Sequence, residues 1–455
     1  MFNFKEKLYY LFALPLFYIG KHLFGIITSS SQSIFAELFN FVAALALCLA
    51  ISFGSYFLFK IRLQRVNAAL LAALVFVFIF FFQDIFLFFM EVQTGNVRIR
   101  WMIPMVGLVT LAVAIVIIRS RRELFRINEY LNLVSFAFLG YLLFELIFSF
   151  SSLHPKRIEY NAPAYAKTCT DCPDIYFFLL DSYTSNASLE KYFDFSNSKF
   201  TNELRDLGFT VKDQEASGYL NTVPSMASTF NLANVDSLGE YYKGDLLQLV
   251  KTSLTARTLR SWGYEVKNFS LFDILDQKRF YTITYEVKPH FVNMVFQSTV
   301  FHWLFEYFGT DSNMYSTHKA VLSNAVQVAE VPHDRPMFVY SHVLSPHPPF
   351  VIDSLGNEIP FTKQGGKSNK QAYVNQIIGL NNMVFEAVKK IRTASPNAIV
   401  VIQGDHGFRL LIGPESTDEA YTVFLAYFGP NSNGVIEQKS ANEIFRTILG
   451  ALGRG

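Results

Sequence analysis

The sequence predicts a membrane protein in two parts: an N-terminal α-helical transmembrane bundle of five spans, then an α/β domain whose mostly parallel central sheet is covered by helices on both faces. Three observations lead to that reading. Apolar residues crowd into residues 1–153, whereas residues 174–455 have the mixed composition of a globular domain. In the second part, short β-branched and aromatic runs alternate with amphipathic helical stretches. Hydrophobic residues make up 51% of the 455 and charged ones only 17%, with 48 phenylalanines, which is too apolar for an ordinary soluble enzyme. A net charge of +2 argues for no nucleic-acid partner. Three cysteines, Cys48, Cys169 and Cys172, are too few for a disulfide-rich scaffold or a cysteine-rich metal cluster.

The expected spans cover about 8–27, 39–59, 68–90, 101–118 and 131–150. Pro15 and the pair Lys21-His22 interrupt the first. "KIRLQR" follows the second span and "RSRRELFR" the fourth, so the positive-inside rule places both loops in the cytoplasm. Lys5 and Lys7 favour an inside N-terminus as well. These placements agree if all five spans cross, which puts everything after Ser151 outside. Arg98 and Arg100 lie on the outer side and run against the bias. Asp84 and Glu145 fall inside apolar segments, where an acid either reaches the interface, packs between helices or serves a function.

Residues 154–173 read as a polar, proline-bearing linker. Within it, Cys169-x-x-Cys172 lacks a partner pair for zinc, and a local disulfide in an oxidising outer compartment is the expectation. The domain 174–455 then opens with the strand "IYFFLL" (175–180). A helix over "NSKFTNELRDLGF" stops at Gly208. "YEVKNFS" and "PMFVYSHVL" (336–344) read as strands, and "NKQAYVNQIIGLNNMVFEAVKKIRTA" as a long amphipathic helix leading into the strand "AIVVIQ". "YTVFLAYFG" (421–429) is a further strand and "ANEIFRTILGAL" a closing helix.

Three of these strands run into chemistry. The first ends on Asp181, the strand 336–344 leads to "SPHPPF", and the strand 398–403 passes through Gly404 into Asp405-His406-Gly407. Strand C-termini in parallel sheets are where ligands bind. As neighbours, Asp181, Asp405 and His406 make a divalent-metal donor set with room for an oxyanion. A nucleophile is available in "SGYLNTVPSMASTFNL" (217–232), a hydroxyl cluster opening a helix whose first turn holds Pro224. The helix N-terminus presents N–H groups and a positive dipole end to a phosphate. Ser and Thr at such a place also serve as plain helix caps.

These residues resemble the alkaline phosphatase/sulfatase superfamily, and among its members the membrane-anchored phosphoethanolamine transferases and lipoteichoic acid synthases. "PDIYFFLLDSY" is similar to the opening strand with its metal-binding acid, and "NTVPSMAS" to the nucleophile segment. "SHVLSPHPPF" is similar to the transferases' His-x-x-x-x-His-x-Pro stretch, and "GDHGFR" to the Asp-His-Gly metal motif. The resemblance implies an alkaline-phosphatase-like fold with Asp181, Asp405 and His406 as metal ligands and Thr222 as both ligand and nucleophile. It implies that His347 binds phosphate or assists the leaving group, and that His342 and Arg409 are weaker substrate-binding or supporting residues. The metal it implies is zinc or manganese, and ligand chemistry does not choose between them.

Departures from the pattern narrow the chemistry. Sulfatases carry Cys or Ser at the nucleophile position, followed by an arginine; here Thr222 and Met226 stand in those places, which disfavours sulfate-ester hydrolysis. Ser225, Ser182 and Thr184 are alternative nucleophiles. The expected activity is therefore transfer of a phospho-linked head group, phosphoethanolamine or phosphoglycerol, through a phospho-threonine. The donor would be a membrane phospholipid, the acceptor an envelope glycan or lipid, and the location a bacterial cytoplasmic membrane with the catalytic domain outside. A hydrolase of the same fold and an inactive membrane scaffold are the alternatives. Substrate selectivity is expected in residues 270–335.

Overall fold

The computed structural model describes residues 6–29, 34–85, 99–150, 172–233, 235, 243–282, 290–308, 314–360, 369–410 and 416–453. The chain divides into two compact units, Met1–Arg157 with Thr284–Thr310, and Ile158–Ile283 with Asp311–Gly455.

In the first unit, five helices follow one another: α1 (Tyr10–Ser29), α2 (Ile34–Lys60), α3 (Arg65–Phe80), α4 (Ile99–Arg119) and α5 (Phe125–Phe150). Two contain stretches long and apolar enough to cross a membrane, Leu38–Lys60 and Phe125–Phe148. The apolar stretches of the other three, Tyr10–Phe24, Arg65–Phe80 and Pro104–Arg119, are shorter. The five expected spans thus appear as five helices, of which two meet the length of a full crossing among the described residues; the third expected span runs on into residues outside that set. Both basic loops meet at one end of the unit. Asn67 Nδ2 donates to the carbonyls of Ser120 (3.4 Å) and Arg122 (3.1 Å), and Val66 N–H donates to Glu123 Oε1 (2.9 Å). Lys7 O accepts from Asn128 and Asn132 on α5, so the N-terminal lysine joins them. Asp84 forms an ion pair with Lys21 (2.5 Å), one of the residues that interrupt the first span.

The second unit is built on a six-stranded sheet. Its strands are β1 (Ile175–Leu180), β2 (Thr210–Ala216), β3 (Glu265–Phe269), β4 (Met337–Val343), β5 (Ile399–Gly404) and β6 (Thr422–Phe428), in the order β2-β6-β5-β1-β4-β3. The pairs β1–β4, β1–β5 and β3–β4 are parallel, while β5–β6 and β2–β6 are antiparallel. The sheet is therefore mixed but mostly parallel, as expected: among the described strands β2, β5, β1, β4 and β3 run one way and β6 runs against them. Physically, among the described residues the path from β5 to β6 holds a five-residue helix, Ser416–Ala420, whereas a parallel return needs a crossover that spans the sheet's length. β2, "TVKDQEA", has no apolar face to announce it and lies at an edge, where charged side chains discourage further pairing.

The helices of this unit are α6 (Asn186–Phe193), α7 (Ser198–Asp206), α8 (Thr222–Asn231), α9 (Lys243–Lys251), α10 (Leu254–Ser261), α13 (Met314–Glu330), α14 (Lys370–Ala394), α16 (Ser432–Glu437) and α17 (Ile444–Leu452), with the short helix Ser416–Ala420 as α15. Numbers α11 (His290–Gln297) and α12 (Val300–Phe308) belong to the helical unit. Alternation along β1 sorts the core. Tyr176, Phe178 and Leu180 pack with α6, α7, α13 and α14 on one face; Ile175, Phe177 and Leu179 pack with α8, α9, α10 and α17 on the other. With apolar cover on both faces, the central strands β1 and β5 read as hydrophobic runs, and their chemistry is confined to their ends.

The boundary between the parts differs from the sequence reading at one place, since Thr284–Thr310 clusters with the N-terminal helices rather than with the α/β unit. Cys172 is disulfide-bonded and Cys48 is free; Cys169, the expected partner, lies outside the described residues.

Candidate active site

β1 and β5 are hydrogen-bonded neighbours with Leu180 opposite Gly404, so the residues that follow each strand emerge side by side. Those residues are Asp181 on one and Asp405-His406 on the other. The register admits little else at this point. A Cβ on Gly404 would lie 2.3 Å from Tyr183 O, and one on Gly407 would lie 2.1 Å from Glu419 O. Glycine flanks the Asp-His pair because neighbouring backbone occupies the side-chain space.

Asp181, Asp405 and His406 are all buried, and one donor atom from each falls within 4.8 Å of the others. His406 Nε2 lies 3.8 Å from Asp181 Oδ1 and 3.4 Å from Asp405 Oδ2. Thr222 Oγ1 is 3.3 Å from Asp181 Oδ2 and 3.5 Å from His406 Nε2. Four donors from three distant segments therefore meet. A tetrahedral zinc with bonds of about 2.0–2.2 Å places its ligands about 3.3–3.6 Å from one another, close to the observed spacing.

The hydrogen bonding inside the cluster also suits a cation. Asp405 Oδ1 accepts from the N–H groups of Ser182 (2.9 Å) and His406 (2.9 Å). Asp405 Oδ2, equally buried, has no hydrogen-bond donor among the described residues. A buried carboxylate oxygen left unpaired costs several kcal/mol in order of magnitude, which a metal bond would offset. His406 Nδ1 is 2.7 Å from Gly407 O, so it carries the ring proton and Nε2 keeps its lone pair toward the carboxylates. Burial pushes the Asp181 carboxyl upward. The hydrogen bond from His342 and the fields of His347, His406 and His342 outweigh that and hold it below the usual carboxylate range.

Thr222 is the first residue of α8, whose preceding Asn221 makes no side-chain cap. Asn221 Oδ1 instead accepts from Arg409 Nη1, which also donates to Leu220 O (2.8 Å). Arg409 thus grips the segment leading to Thr222. His342 is fully buried; its Nε2 is 3.3 Å from Asp181 Oδ2 and its Nδ1 3.4 Å from the Tyr340 hydroxyl, so it supports the acid from beneath. His347 N–H donates to Asp181 O (2.9 Å), and its Nδ1 is 2.5 Å from Pro348 O, so its ring has no hydrogen bond to the donor cluster among the described residues. The alternative nucleophiles are otherwise engaged. Ser225 Oγ donates to Asp405 O (2.9 Å), Thr184 Oγ1 to the carbonyls of Glu419 and Thr422, and Ser182 Oγ to Asp181 Oδ1 (3.1 Å).

Sequence reasoning missed the residues that brace this cluster. Glu419, fully buried, accepts from the N–H groups of Phe408 (2.6 Å) and Arg409 (2.9 Å) and so sets the loop after the Asp-His pair. Burial raises its pKa, against the lowering effect of those hydrogen bonds. Tyr373 OH donates to Ser182 O (2.7 Å), holding Ser182 in a left-handed conformation (φ 63°) beside Asp181. Nothing in "STDEAY" or "KQAYVN" distinguishes these residues from surface ones.

Residues 174–454 match the family described as Sulfatase. The chain belongs to the sulfatase family. Its α/β unit is the alkaline-phosphatase-like domain that the family match covers. No curated protein matches the sequence. Among solved structures, the C-terminal periplasmic domain of EcEptC from Escherichia coli, in complex with Zn, is 15% identical, with 63% of this chain and 84% of that one covered and a TM-score of 0.40. The lipoteichoic acid synthase LtaP from Listeria monocytogenes is 15% identical, with 64% and 74% covered and a TM-score of 0.37. The periplasmic domain of phosphoethanolamine transferase EptC from Campylobacter jejuni is 11% identical, with 63% and 92% covered and a TM-score of 0.39. Family membership rests on the sequence match; these likenesses add nothing to the assignment of a substrate.

Proposed function

We propose that this sulfatase-family protein transfers a phospho-linked head group, of phosphoethanolamine or phosphoglycerol type, from a membrane phospholipid to an envelope glycan or lipid. The observation that carries this is Thr222 Oγ1 at a helix N-terminus, within 3.5 Å of both Asp181 and His406. A threonine so placed suits a phosphorus ester, because the first N–H groups of α8 are free to receive its oxygens. Asp181, Asp405, His406 and Thr222 would hold a divalent cation, zinc or manganese. Bound there, it would lower the pKa of a coordinated hydroxyl and neutralise charge on a phosphoryl group.

The residues themselves carry the rest. Thr222 Oγ, its proton first lost to solvent, attacks phosphorus, a new Oγ–P bond forms, and the bond to diacylglycerol oxygen breaks. His347 Nε2 gives that oxygen a proton, while its Nδ1 stays on Pro348 O. In the second half an acceptor hydroxyl gives its proton to His347 Nε2 and attacks phosphorus, the Oγ–P bond breaks, and Thr222 Oγ leaves ionised as it began. His342 and Arg409 hold Asp181 and the Thr222 segment in place. Five membrane crossings, with the catalytic unit outside a bacterial cytoplasmic membrane, would bring the lipid donor to this site.

The test uses the full chain in vesicles containing phosphatidylethanolamine and phosphatidylglycerol. Thr222→Ala should abolish both diacylglycerol release and the phospho-adduct found by mass spectrometry on the Thr222 peptide, while Thr222→Ser keeps both. A fully active Thr222→Ala variant ends this assignment. Free head-group phosphate released without a modified acceptor would identify a hydrolase using the same residues.

A further inference from the structure

Between Ile283 and Asp311 the chain leaves the α/β unit, packs with the N-terminal helices, and returns. Both ends of this excursion join the same domain, so it must begin and end on one side of any bilayer. Its helices α11 and α12 have 8 and 9 residues, or about 12 and 14 Å at 1.5 Å per residue. A hydrocarbon core is about 30 Å thick, so neither helix crosses. From His290 to Phe305 no Asp, Glu, Lys or Arg occurs.

We infer that His290–Phe308 is a re-entrant membrane hairpin, with Phe301 facing lipid and its polar tip sealed against α1 and the end of α3. This rests on the reading of Met1–Arg157 as membrane-embedded. Irregular backbone survives inside a bilayer only where protein satisfies its polar groups, and here it does. The Tyr18 hydroxyl donates to Val295 O (2.6 Å) and lies 2.5 Å from Ser298 Oγ, which is 3.0 Å from His22 Nε2. Ser298 O accepts from Gln83 N–H (3.2 Å). Thr299 Oγ1 donates to Phe296 O (2.7 Å) and accepts from His302 N–H.

The polarity of the hairpin is the reverse of a segment lying in water. Ser298 and Thr299, at 3% and 4% exposure, are buried, as is His302, whereas Phe301 is 48% exposed. Phe291 packs into the bundle beside Phe41, and Val300 joins Phe82 and Val106. His22, which interrupts the first predicted span, thus has a structural reason to be there.

The test places single cysteines at Phe301, at Leu133 on α5 (58% exposed) and at Leu355 in the α/β unit (80% exposed) of the full chain. Cys48 is buried and Cys172 is in a disulfide, so neither competes for label. Each variant carries bimane in phosphatidylethanolamine/phosphatidylglycerol vesicles, and quenching by acyl-chain nitroxide is compared with quenching by iodide. F301C should match L133C and exceed L355C about three-fold in lipid quenching, with the iodide order reversed. If L133C is lipid-quenched while F301C follows L355C, the hairpin lies in water and the inference is overturned alone. If L133C itself escapes the lipid quencher, the membrane reading of the bundle fails and the hairpin with it.

Discussion

At the scale of single residues, the acid that opens the α/β domain has as many partners as the acids of the candidate site. Asp174 accepts from Met337 N–H (2.9 Å), Ser395 Oγ (3.0 Å) and His333 Nε2 (3.1 Å), and its carbonyl accepts from Ile399 N–H (2.7 Å). It joins the starts of β1, β4 and β5, at the end of the sheet opposite Asp181. Partial burial pulls the His333 pKa down. The Val331 carbonyl on its ring, the hydrogen bond to Asp174 and the fields of Asp174 and Glu265 overcome that, and the net shift is upward. A histidine whose pKa is raised by folding stabilises fully below its unfolded value, about 6.5, and loses that contribution as pH climbs through the folded value. Thermal midpoints of the full chain should therefore fall from pH 6 towards pH 8 more steeply than those of His333→Asn. Parallel curves for the two proteins would show that His333 contributes nothing through its charge. The sequence marks Asp174 only as a domain start, because its three partners come from segments more than 150 residues away.

Elements add a second layer, in which α8 is aimed by a contact that secondary-structure reading does not contain. Its first residue is the proposed nucleophile Thr222, and the grip on that end comes from Arg409, whose own backbone is fixed by Glu419. Hydrogen bonds involving a charged group contribute roughly 1.5–3 kcal/mol each. If half of one such bond serves to place Thr222, its loss lowers turnover about tenfold. Arg409→Ala should lower kcat about tenfold or more while metal content, measured by elemental analysis, stays near one ion per chain. Arg409→Lys should recover part of the loss, since its ammonium can donate to both acceptors of Nη1 but sits on a shorter, more flexible stem. A rise in KM with kcat unchanged would instead make Arg409 a substrate contact. The strands that carry the site were legible, with β1, β4, β5 and α14 falling within a residue or so of where apolar runs place them. Buried on both faces, they have no alternative pattern to imitate. β2 was not legible because it is polar and at an edge, and the reversed direction of β6 was not because a strand's run of residues carries no arrow.

For the whole molecule, the sequence distinguished the apolar bundle from the α/β domain by composition, but it counted Thr284–Thr310 with the wrong one. A short uncharged run between soluble elements looks like core until its partners are known. The grouping of Asp181, Asp405 and His406 was legible from strand order and residue type, and Thr222 was singled out by the family resemblance, yet the feature that argues most directly for a cation, Asp405 Oδ2 with no donor among the described residues, is visible only in three dimensions. That atom leads to a prediction about the stability of the full chain. An imidazole held 3.4–3.8 Å from two buried carboxylates, one with an oxygen that has no donor among the described residues, is a site a cation would stabilise, so the metal-free fold should be the less stable one. A cation held at 100 times its Kd adds about 2.7 kcal/mol. For a domain of this size that is worth roughly 5–10 °C in melting temperature. Chelation should lower the thermal midpoint by that amount, and added zinc or manganese should restore it, whichever acts. Asp405→Asn keeps an oxygen to accept from Ser182 and His406 but places an amide where Oδ2 was. It should fold, lose the chelator-sensitive part of the midpoint, and leave the His333-dependent pH profile as it is. Equal chelator shifts in the two proteins would place the cation elsewhere in the chain and leave Asp405 as a purely structural acid.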